Sequence, residues 1–202
     1  MKLKVCGMRS PDNIASLSRL APDYMGFIFW EYSKRFVSHA TPRLPQSIKK
    51  TGVFVDASEE YILETIANHQ LQVLQLHGKE SPNFCKKLKA TGLEIIKSFS
   101  VSNDFVFSDL EAHESVCDYF LFDTKGDLPG GNGTRFDWAL LRDYTAAKPF
   151  FLSGGIGHKD QGIIESIINL NLPLYAVDIN SKFEDQPALK NIEMIKQFKA
   201  TL

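Results

Sequence analysis

Two stretches in the last third of the sequence combine residue types that bind anions. The first is Ser153-Gly154-Gly155-Ile156-Gly157, and a helical pattern follows it at about Lys159. Glycines let backbone N–H groups converge on an anion, and the N-terminus of a following helix adds a favourable dipole. A single glycine pair is equally typical of an ordinary turn, so this stretch alone decides nothing.

The second stretch is Asp178-Ile179-Asn180-Ser181, which leads to Phe183-Glu184. The pattern predicts a short extra helix at Phe183-Glu184, with Asn180 or Ser181 as its N-terminal cap. Phosphate sites are often built from two consecutive loops of this kind. Together the two stretches therefore predict a phosphate site, in which we expect Gly154, Gly155, Asn180 and Ser181 to contact the ligand.

Polar side chains lie at or just beyond the ends of several apolar runs, namely Cys6, Asp56, Gln75, His77, Asp123 and Asp178. If these runs are parallel barrel strands, their carboxyl ends form the catalytic face. Each residue also has an ordinary interpretation. A lone cysteine at a strand end is usually a small core residue, and a lone aspartate is often a cap.

The elements that must position these side chains alternate along the chain. The predicted strands are Leu3–Cys6, Tyr24–Phe29, Gly52–Val55, Val73–Leu76, Glu94–Ser98, Tyr119–Phe122, Phe150–Leu152 and Leu174–Val177. The predicted helices are Asp12–Leu20, Ser58–Asn68, Ser81–Ala90, Phe136–Tyr144, Lys159–Asn169 and Ala188–Phe198, with weaker patterns at Pro42–Lys50 and Asp109–Glu114. Strands that alternate with helices imply a parallel sheet. Eight units in 202 residues predict an α/β fold, a (βα)8 TIM barrel that forms a single domain over residues 1–202.

Composition narrows the class of partner. The net charge is −1 and the pI is about 6.5, so no basic field would attract nucleic acid or an anionic membrane. Cys6, Cys85 and Cys117 are odd in number and widely spaced, which suggests neither a disulfide framework nor a zinc site. No signal-peptide pattern or membrane-spanning run is present. We therefore expect a cytoplasmic protein with a small-molecule substrate.

The sequence resembles the phosphoribosylanthranilate isomerases, enzymes of tryptophan biosynthesis. The matching blocks lie in family order along nearly the whole chain: Lys4-Val5-Cys6-Gly7-Met8, Gly26-Phe27-Ile28-Phe29, Ser33-Lys34-Arg35-Phe36-Val37, Gly52-Val53-Phe54-Val55-Asp56, Gln75-Leu76-His77-Gly78, Phe122-Asp123-Thr124-Lys125, Gly130-Gly131-Asn132-Gly133-Thr134-Arg135-Phe136-Asp137-Trp138, the Ser-Gly-Gly-Ile loop and Val177-Asp178-Ile179-Asn180-Ser181. Each block alone is weak, but jointly they are very specific.

The sequence departs from the family pattern at three places. Asn132 stands where serine or threonine is usual, and Lys182-Phe183 stands where Gly-Val is typical. Trp30-Glu31-Tyr32 replaces small and proline-rich residues before the arginine. These changes put the fine shape of the pocket in doubt, but not the class of reaction.

The resemblance implies an Amadori rearrangement of an aminoaldose phosphate to an aminoketose. Asp123 would be the general acid that protonates the ring oxygen, so burial would have to favour its neutral form. Cys6 would be the general base at the sugar C2, as a thiolate favoured by Lys4 on the same strand face. We expect Asp178 to pair with Lys4, because strands 1 and 8 are neighbours in a closed barrel. No cofactor or metal is expected.

The remaining site residues are also implied by the resemblance. Arg35 would hold the anthranilate carboxylate, although a solvated loop charge is the usual role of such a residue. Gln75 and His77 would position the substrate, and Asp178 completes the predicted substrate contacts. Gly131 and Gly133 lie in the loop Lys125–Arg135, which we expect to act as a lid. Family members occur as monomers and homodimers, and we expect a monomer.

Three other functions remain to be weighed. A histidine-pathway isomerase would show paired strand-end aspartates and a half-barrel repeat, whereas this chain has Cys6 on the first strand. Indole-glycerol-phosphate synthase needs a longer N-terminal extension and a set of catalytic lysines that we cannot place. A barrel that has lost its activity could serve as a phosphate-ligand sensor or a partner subunit, and it would bind without turnover.

Overall fold

Eight parallel strands close into a barrel in the computed structural model, which describes residues 1–124 and 136–202. The strands follow the chain order around the barrel: β1 (Lys2–Val5), β2 (Tyr24–Ile28), β3 (Lys49–Phe54), β4 (Val73–Leu76), β5 (Glu94–Val101), β6 (Tyr119–Thr124), β7 (Phe150–Leu152) and β8 (Leu174–Ile179). β8 pairs with β1 and places Asp178 opposite Lys4. The predicted fold class is confirmed.

Helices cover the outside of the barrel. They are α1 (Pro11–Ser18), α2 (Glu59–His69), α3 (Pro82–Lys89), α4 (Glu111–Glu114), α5 (Gln161–Ile168) and α6 (Ile192–Lys199), with 3-10 turns at Phe107–Leu110, Trp138–Asp143 and Ser181–Phe183. The starts of α2 and α3 are fixed by serine caps. Ser58 accepts a hydrogen bond from the backbone N–H of Tyr61, and Ser81 accepts one from that of Phe84.

The predicted strands are all present, with identical bounds for β4 and β7. The predicted helix at Pro42–Lys50 is wrong. Pro42 and Pro45 lie in a turn segment, and Lys49 already begins β3. Proline lacks a backbone N–H and restricts the residue before it, so the apolar spacing in this stretch does not produce a helix.

Two other helix predictions need correction. The segment Phe136–Tyr144 contains a 3-10 helix at Trp138–Asp143 instead of an α-helix. The helix predicted at Ala188–Phe198 begins only at Ile192. The residues before it form a second small sheet, in which β9 (Glu184–Gln186) pairs antiparallel with β10 (Leu189–Lys190).

Large apolar side chains fill the space between the barrel and its helices. Phe120, Phe122 and Phe150 are fully buried there, and burial of each such ring stabilises the fold by roughly 1.5–3 kcal/mol. A second cluster fills the barrel interior toward its amino-terminal end, where Tyr24 packs edge-on against Phe151 with ring centroids 5.2 Å apart. The barrel is therefore a packed core at this level, and its carboxyl end is the face that remains for a site.

Within residues 1–124 and 136–202, no helix is long and apolar enough to cross a membrane.

Candidate active site at the carboxyl ends of the strands

A buried ion pair joins the first and last strands of the barrel. Lys4 Nζ lies 2.9 Å from Asp178 Oδ1, and both side chains are almost completely excluded from solvent. The predicted pair is therefore confirmed. Burial alone would lower the pKa of Lys4, but the charges of Asp178 and Cys6 outweigh it and raise that pKa. The partners of Lys4 therefore favour its ammonium form inside the barrel.

Cys6 lies directly beyond β1 on the same face as this ammonium. Its thiol is buried, and burial raises its pKa, while Lys4 and Lys190 act in the opposite direction. The predicted influence of Lys4 is thus present but smaller than the effect of burial. Gly26 on β2 makes room for the thiol, because a Cβ there would lie only 2.8 Å from Cys6 Sγ.

On the other side of the opening, three predicted site residues form a chain of contacts from β4 to β6. The side-chain amide of Gln75 donates to His77 Nδ1 over 2.7 Å, and His77 Nε2 lies 3.3 Å from Asp123 Oδ2. The other carboxylate oxygen of Asp123 accepts a hydrogen bond from the backbone N–H of Thr124. Both oxygens of the buried carboxyl group therefore have fixed neighbours.

The glycine loop after β7 lies against this carboxyl group. Gly154 and Gly155 have φ angles of 91° and 64°, which favour glycine. A Cβ at Gly154 would collide with Thr124 Oγ1 and lie 3.2 Å from Asp123 Oδ1. The helix α5 starts at Gln161, slightly later than predicted. The loop is therefore shaped by its close approach to the end of β6.

The loop after β8 forms a short helix, but earlier than predicted and without the predicted cap: it spans Ser181–Phe183, and Glu184 already begins β9. Ser181 begins a 3-10 turn and Asn180 occupies the capping position, yet the Asn180 side chain makes no capping bond. Its Oδ1 instead accepts a hydrogen bond from Lys190 Nζ over 2.7 Å. Phe183 is fully buried against Phe198, with ring centroids 5.0 Å apart, while Lys182 is exposed. The core thus accommodates the phenylalanine of this departure from the family pattern.

Arg35 makes a forked ion pair with Glu184 at the start of β9. Its Nε lies 2.9 Å from Glu184 Oε1, and its Nη2 lies 2.7 Å from Oε2. A Cβ on Gly7 would lie 2.6 Å from both Arg35 Cδ and Asn180 Oδ1. The loops after β1, β2 and β8 therefore meet at Gly7, next to Cys6.

Gly131 and Gly133, with the predicted lid Lys125–Arg135, lie outside the described residues.

Several side chains at this face were not predicted. Trp30 is partly buried and packs against the cluster of Cys6, Ile28 and Val53. Strand alternation could have placed it, since it follows Ile28 by two residues. Ser98 faces the interior two residues after Ile96, and neither its Oγ nor Gln75 Oε1 has a hydrogen-bond partner in the part of the chain that the structure describes.

The geometry groups the predicted residues into two sides of one opening. Cys6, Asp178, Arg35, Asn180 and Ser181 lie on the side of β1, β2 and β8, and Gln75, His77, Asp123, Gly154 and Gly155 lie on the side of β4, β6 and β7. A carboxyl group and a thiol at opposite sides of an opening can act as an acid and a base on one bound molecule. The loops after β7 and β8 lie between these two groups, and their glycine backbone and polar side chains are suited to binding an anion.

Residues 3–201 match the family model described as N-(5'-phosphoribosyl)anthranilate (PRA) isomerase. The chain belongs to this isomerase family. A relative from Parabacteroides distasonis named N-(5'-phosphoribosyl)anthranilate isomerase is 44% identical over 205 residues, which cover 98% of this chain and 91% of the relative. The expected family is therefore confirmed, over nearly the full length of both proteins.

Solved structures of the isomerase family share the barrel. The phosphoribosyl anthranilate isomerase of Thermotoga maritima superposes with a TM-score of 0.83 and 30% identity, covering 100% of this chain and 98% of the other. A second isomerase structure has a TM-score of 0.79 and 29% identity, with coverage of 98% and 96%. It is a complex with reduced 1-(o-carboxyphenylamino)-1-deoxyribulose 5-phosphate, a molecule with an aromatic carboxylate at one end and a phosphate at the other.

Proposed function

We propose that this chain catalyses the Amadori rearrangement of N-(5-phosphoribosyl)anthranilate to 1-(2-carboxyphenylamino)-1-deoxyribulose 5-phosphate, a step of tryptophan biosynthesis. Family membership supports the reaction. The observation that carries the assignment of roles is the placement of Asp123 and Cys6 at the ends of β6 and β1, on opposite sides of the opening.

Asp123 is the general acid in this proposal. Its proton passes to the furanose ring oxygen, the bond from C1 to that oxygen breaks, and the open-chain iminium forms. The hydrogen bond from the Thr124 N–H orients the carboxyl group, and His77 Nε2 lies 3.3 Å from its other oxygen. Gly154 brings the loop after β7 alongside this group, so the acid and the proposed phosphate site are neighbours.

Cys6 is the general base. Its thiolate removes the proton from C2 of the iminium, and the C–H electron pair forms the enolamine double bond. Protonation at C1 together with loss of the C2 hydroxyl proton then gives the ketose. Burial raises the pKa of the thiol, so the thiolate is a minor species at neutral pH. Lys4 and Lys190 favour its formation, and the positive iminium makes the C2 proton more acidic.

The loops after β7 and β8 hold the phosphate in this proposal, through the backbone of Gly154 and Gly155 and through Asn180 and Ser181. Glycine at two consecutive left-handed positions lets backbone amides approach an anion. Arg35 holds the substrate carboxylate, for which a planar guanidinium is well suited. Contacts from Gly131 and Gly133, and closure of the lid, stay predictions. Shortening the lid should raise KM or lower kcat, and no change in either would contradict it.

The decisive experiment generates phosphoribosylanthranilate in situ and follows the decay of its fluorescence with the purified protein. We expect wild-type activity, and a loss of at least a hundredfold in kcat for both Cys6→Ala and Asp123→Asn, since a positioned acid or base typically contributes about 10²–10⁴-fold. Cys85→Ala, at another buried thiol, and Asp12→Asn, at an exposed carboxylate, serve as matched controls and should remain active.

Each outcome separates the parts of the proposal. If the fluorescence still decays with Cys6→Ala, the protein catalyses the reaction but the thiol is not its base. If it still decays with Asp123→Asn, the carboxyl group of Asp123 is not its acid. Folded wild-type protein that binds the substrate without turnover would instead support the sensor function.

A further inference from the structure

A second group of buried charges lies beside Cys6, and the reaction scheme does not use all of it. Glu184 contacts Arg35 through the fork described above and Lys190 through an ion pair at Oε1. The exposed fractions of the side chains of Arg35, Glu184 and Lys190 are 11%, 4% and 0%. We call these three residues the Glu184 cluster.

The charge of the Glu184 cluster does not balance. Arg35 and Glu184 alone would be neutral, and their fork already occupies two of the guanidinium nitrogens. Lys190 adds a second positive charge, and its remaining hydrogen bonds go to Asn180 Oδ1 and to the Asn180 carbonyl, which are uncharged. Within the described residues, no second carboxylate is bonded to Arg35 or Lys190. Below a pH of about 8, where Lys190 is protonated, the cluster therefore has a buried excess of one positive charge, which is costly without an anion.

Lys190 is held in place by its backbone as well as by its side chain. The Asn13 side chain on α1 accepts a hydrogen bond from Lys190 N–H over 2.8 Å and donates one to its carbonyl over 2.9 Å. The ammonium reaches the catalytic face, since a Cβ on Gly7 would lie 3.3 Å from Lys190 Nζ. A lysine fixed at this point acts on its neighbours as a rigid charge.

We propose that Lys190 is a positioning residue for the substrate carboxylate. Lys190 and Arg35 share the single negative charge of Glu184. The fork therefore orients the guanidinium of Arg35 without neutralising its charge. This inference rests on the proposed function. Without Lys190, Glu184 would cancel the charge that Arg35 offers to an anionic ligand. With Lys190, the pair of cations shares one internal carboxylate and retains one positive charge for the ligand.

The proposal has a pH dependence with a defined sign. Burial lowers the pKa of Lys190 to about 8. Glu184 and Cys6 raise this pKa, and the positive charge of Arg35 lowers it further. A bound carboxylate favours the ammonium form, so affinity for a carboxylate ligand should fall as pH rises through about 8. Arginine stays charged throughout that range. A Lys190→Arg variant should therefore bind the same ligand with little pH dependence up to pH 9.

The test compares two ligands by calorimetry. One is the product, 1-(2-carboxyphenylamino)-1-deoxyribulose 5-phosphate, and the other is 1-phenylamino-1-deoxyribulose 5-phosphate, which lacks the carboxylate. We expect Lys190→Met to weaken binding of the product about tenfold or more, a size typical for loss of a charge-assisted contact. Binding of the phenylamino ligand should change less than threefold. In kinetics, KM should rise more than kcat falls.

If Lys190→Met weakens the binding of both ligands by the same factor, the proposal is overturned. Loss of a purely structural lysine would disturb the whole pocket and weaken both ligands alike. If that variant does not fold, Lys190→Arg provides the test. The proposal is also overturned if the affinity of Lys190→Arg for the product still falls as the pH rises through about 8. Failure of the proposed function is recognised separately, as absence of turnover by the wild-type protein.

Discussion

Both ends of the barrel contain clusters of polar side chains. Among the described residues, the named polar groups of the amino-terminal cluster have hydrogen-bond partners, whereas some at the carboxyl end do not. At the amino-terminal end, the Tyr24 hydroxyl lies 3.1 Å from that of Tyr175 and 3.3 Å from Glu94, which also pairs with Lys49. At the carboxyl end, Ser98 and Gln75 keep buried polar atoms without partners among the described residues. The Glu184 cluster adds an unbalanced charge.

This difference separates stability from function. Folded proteins satisfy nearly all buried polar groups, so an unsatisfied group requires an explanation. The aromatic and ionic contacts at the amino-terminal end satisfy one another and need no ligand. At the carboxyl end, the Ser98 hydroxyl and the Gln75 amide oxygen have no hydrogen-bond partner among the described residues, so both are available to a polar ligand. Substitutions at the two ends should therefore have different signatures.

The largest effect is expected for Asp178→Asn at the carboxyl end. This change leaves Lys4 buried without its counter-ion, so we expect a loss of about 3 kcal/mol in the free energy of unfolding. Because Asp178 is also a predicted substrate contact, kcat should fall. The charge of Asp178 raises the pKa of Cys6, so the thiol should ionise at lower pH in the variant. Urea denaturation and the pH dependence of alkylation by iodoacetamide measure the two effects.

Asp118→Asn is the matched control for this prediction. Asp118 pairs with Lys89 at a half-exposed site, where such a pair contributes about 1 kcal/mol or less. An unaltered reaction rate together with an unaltered thiol titration in Asp178→Asn would refute the coupling of Lys4, Asp178 and Cys6.

A glycine substitution tests the same contrast with a smaller effect. Gly154 and Gly92 both have positive φ, 91° and 75°, so alanine costs roughly 1–3 kcal/mol at either position. Only at Gly154 would the new Cβ also collide with Thr124 beside Asp123, whereas Gly92 faces open space. Gly154→Ala should therefore raise KM and lower kcat, while Gly92→Ala should only lower the melting temperature. Similar kinetics for the two variants would remove the loop after β7 from the site.

Tyr24→Phe probes the amino-terminal end. The variant loses hydroxyl contacts with Glu94 and Tyr175, which together should contribute about 1 kcal/mol to the free energy of unfolding. Because the cluster is remote from the carboxyl face, kcat and KM should remain at wild-type values. A change in either would show that the two ends are coupled.

Ser98→Ala should have the smallest effect on stability, and in the opposite direction. The Ser98 hydroxyl is buried and has no hydrogen-bond partner within residues 1–124 and 136–202, so its removal should leave the free energy of unfolding unchanged or raise it by about 1 kcal/mol. If the hydroxyl binds substrate, KM should increase. Clear destabilisation would show that the hydroxyl already has a structural partner.

The strands and the strand-end residues could be predicted because each depends on a local pattern. Buried parallel strands are short apolar runs, and the polar residue that ends each run is visible in the sequence. The Lys4–Asp178 pair also followed, since barrel closure makes β1 and β8 neighbours. In contrast, the raised pKa of Cys6 comes from burial by the whole fold, which no local pattern gives.

Lys190 and Glu184 were missed for a specific physical reason. The segment from Ala188 onward has helical spacing, but pairing of β10 with β9 prevails over that propensity, and Lys190 becomes a buried strand residue. Its backbone partner Asn13 is 177 residues away in the sequence. Only the tertiary fold shows that a lysine near the end of the chain contributes charge beside Cys6.

The ion pair between β1 and β8 also constrains how the protein is made. Lys4 and Asp178 are 174 residues apart, so the first strand emerges from the ribosome long before its partner exists. Until then the open sheet has two unpaired edges, and Lys4 cannot be buried without an uncompensated charge. Nascent chains that end before residue 178 therefore lack both barrel closure and a charge-balanced interior. We expect completion of synthesis, and not the earlier helices, to commit the chain to its native state.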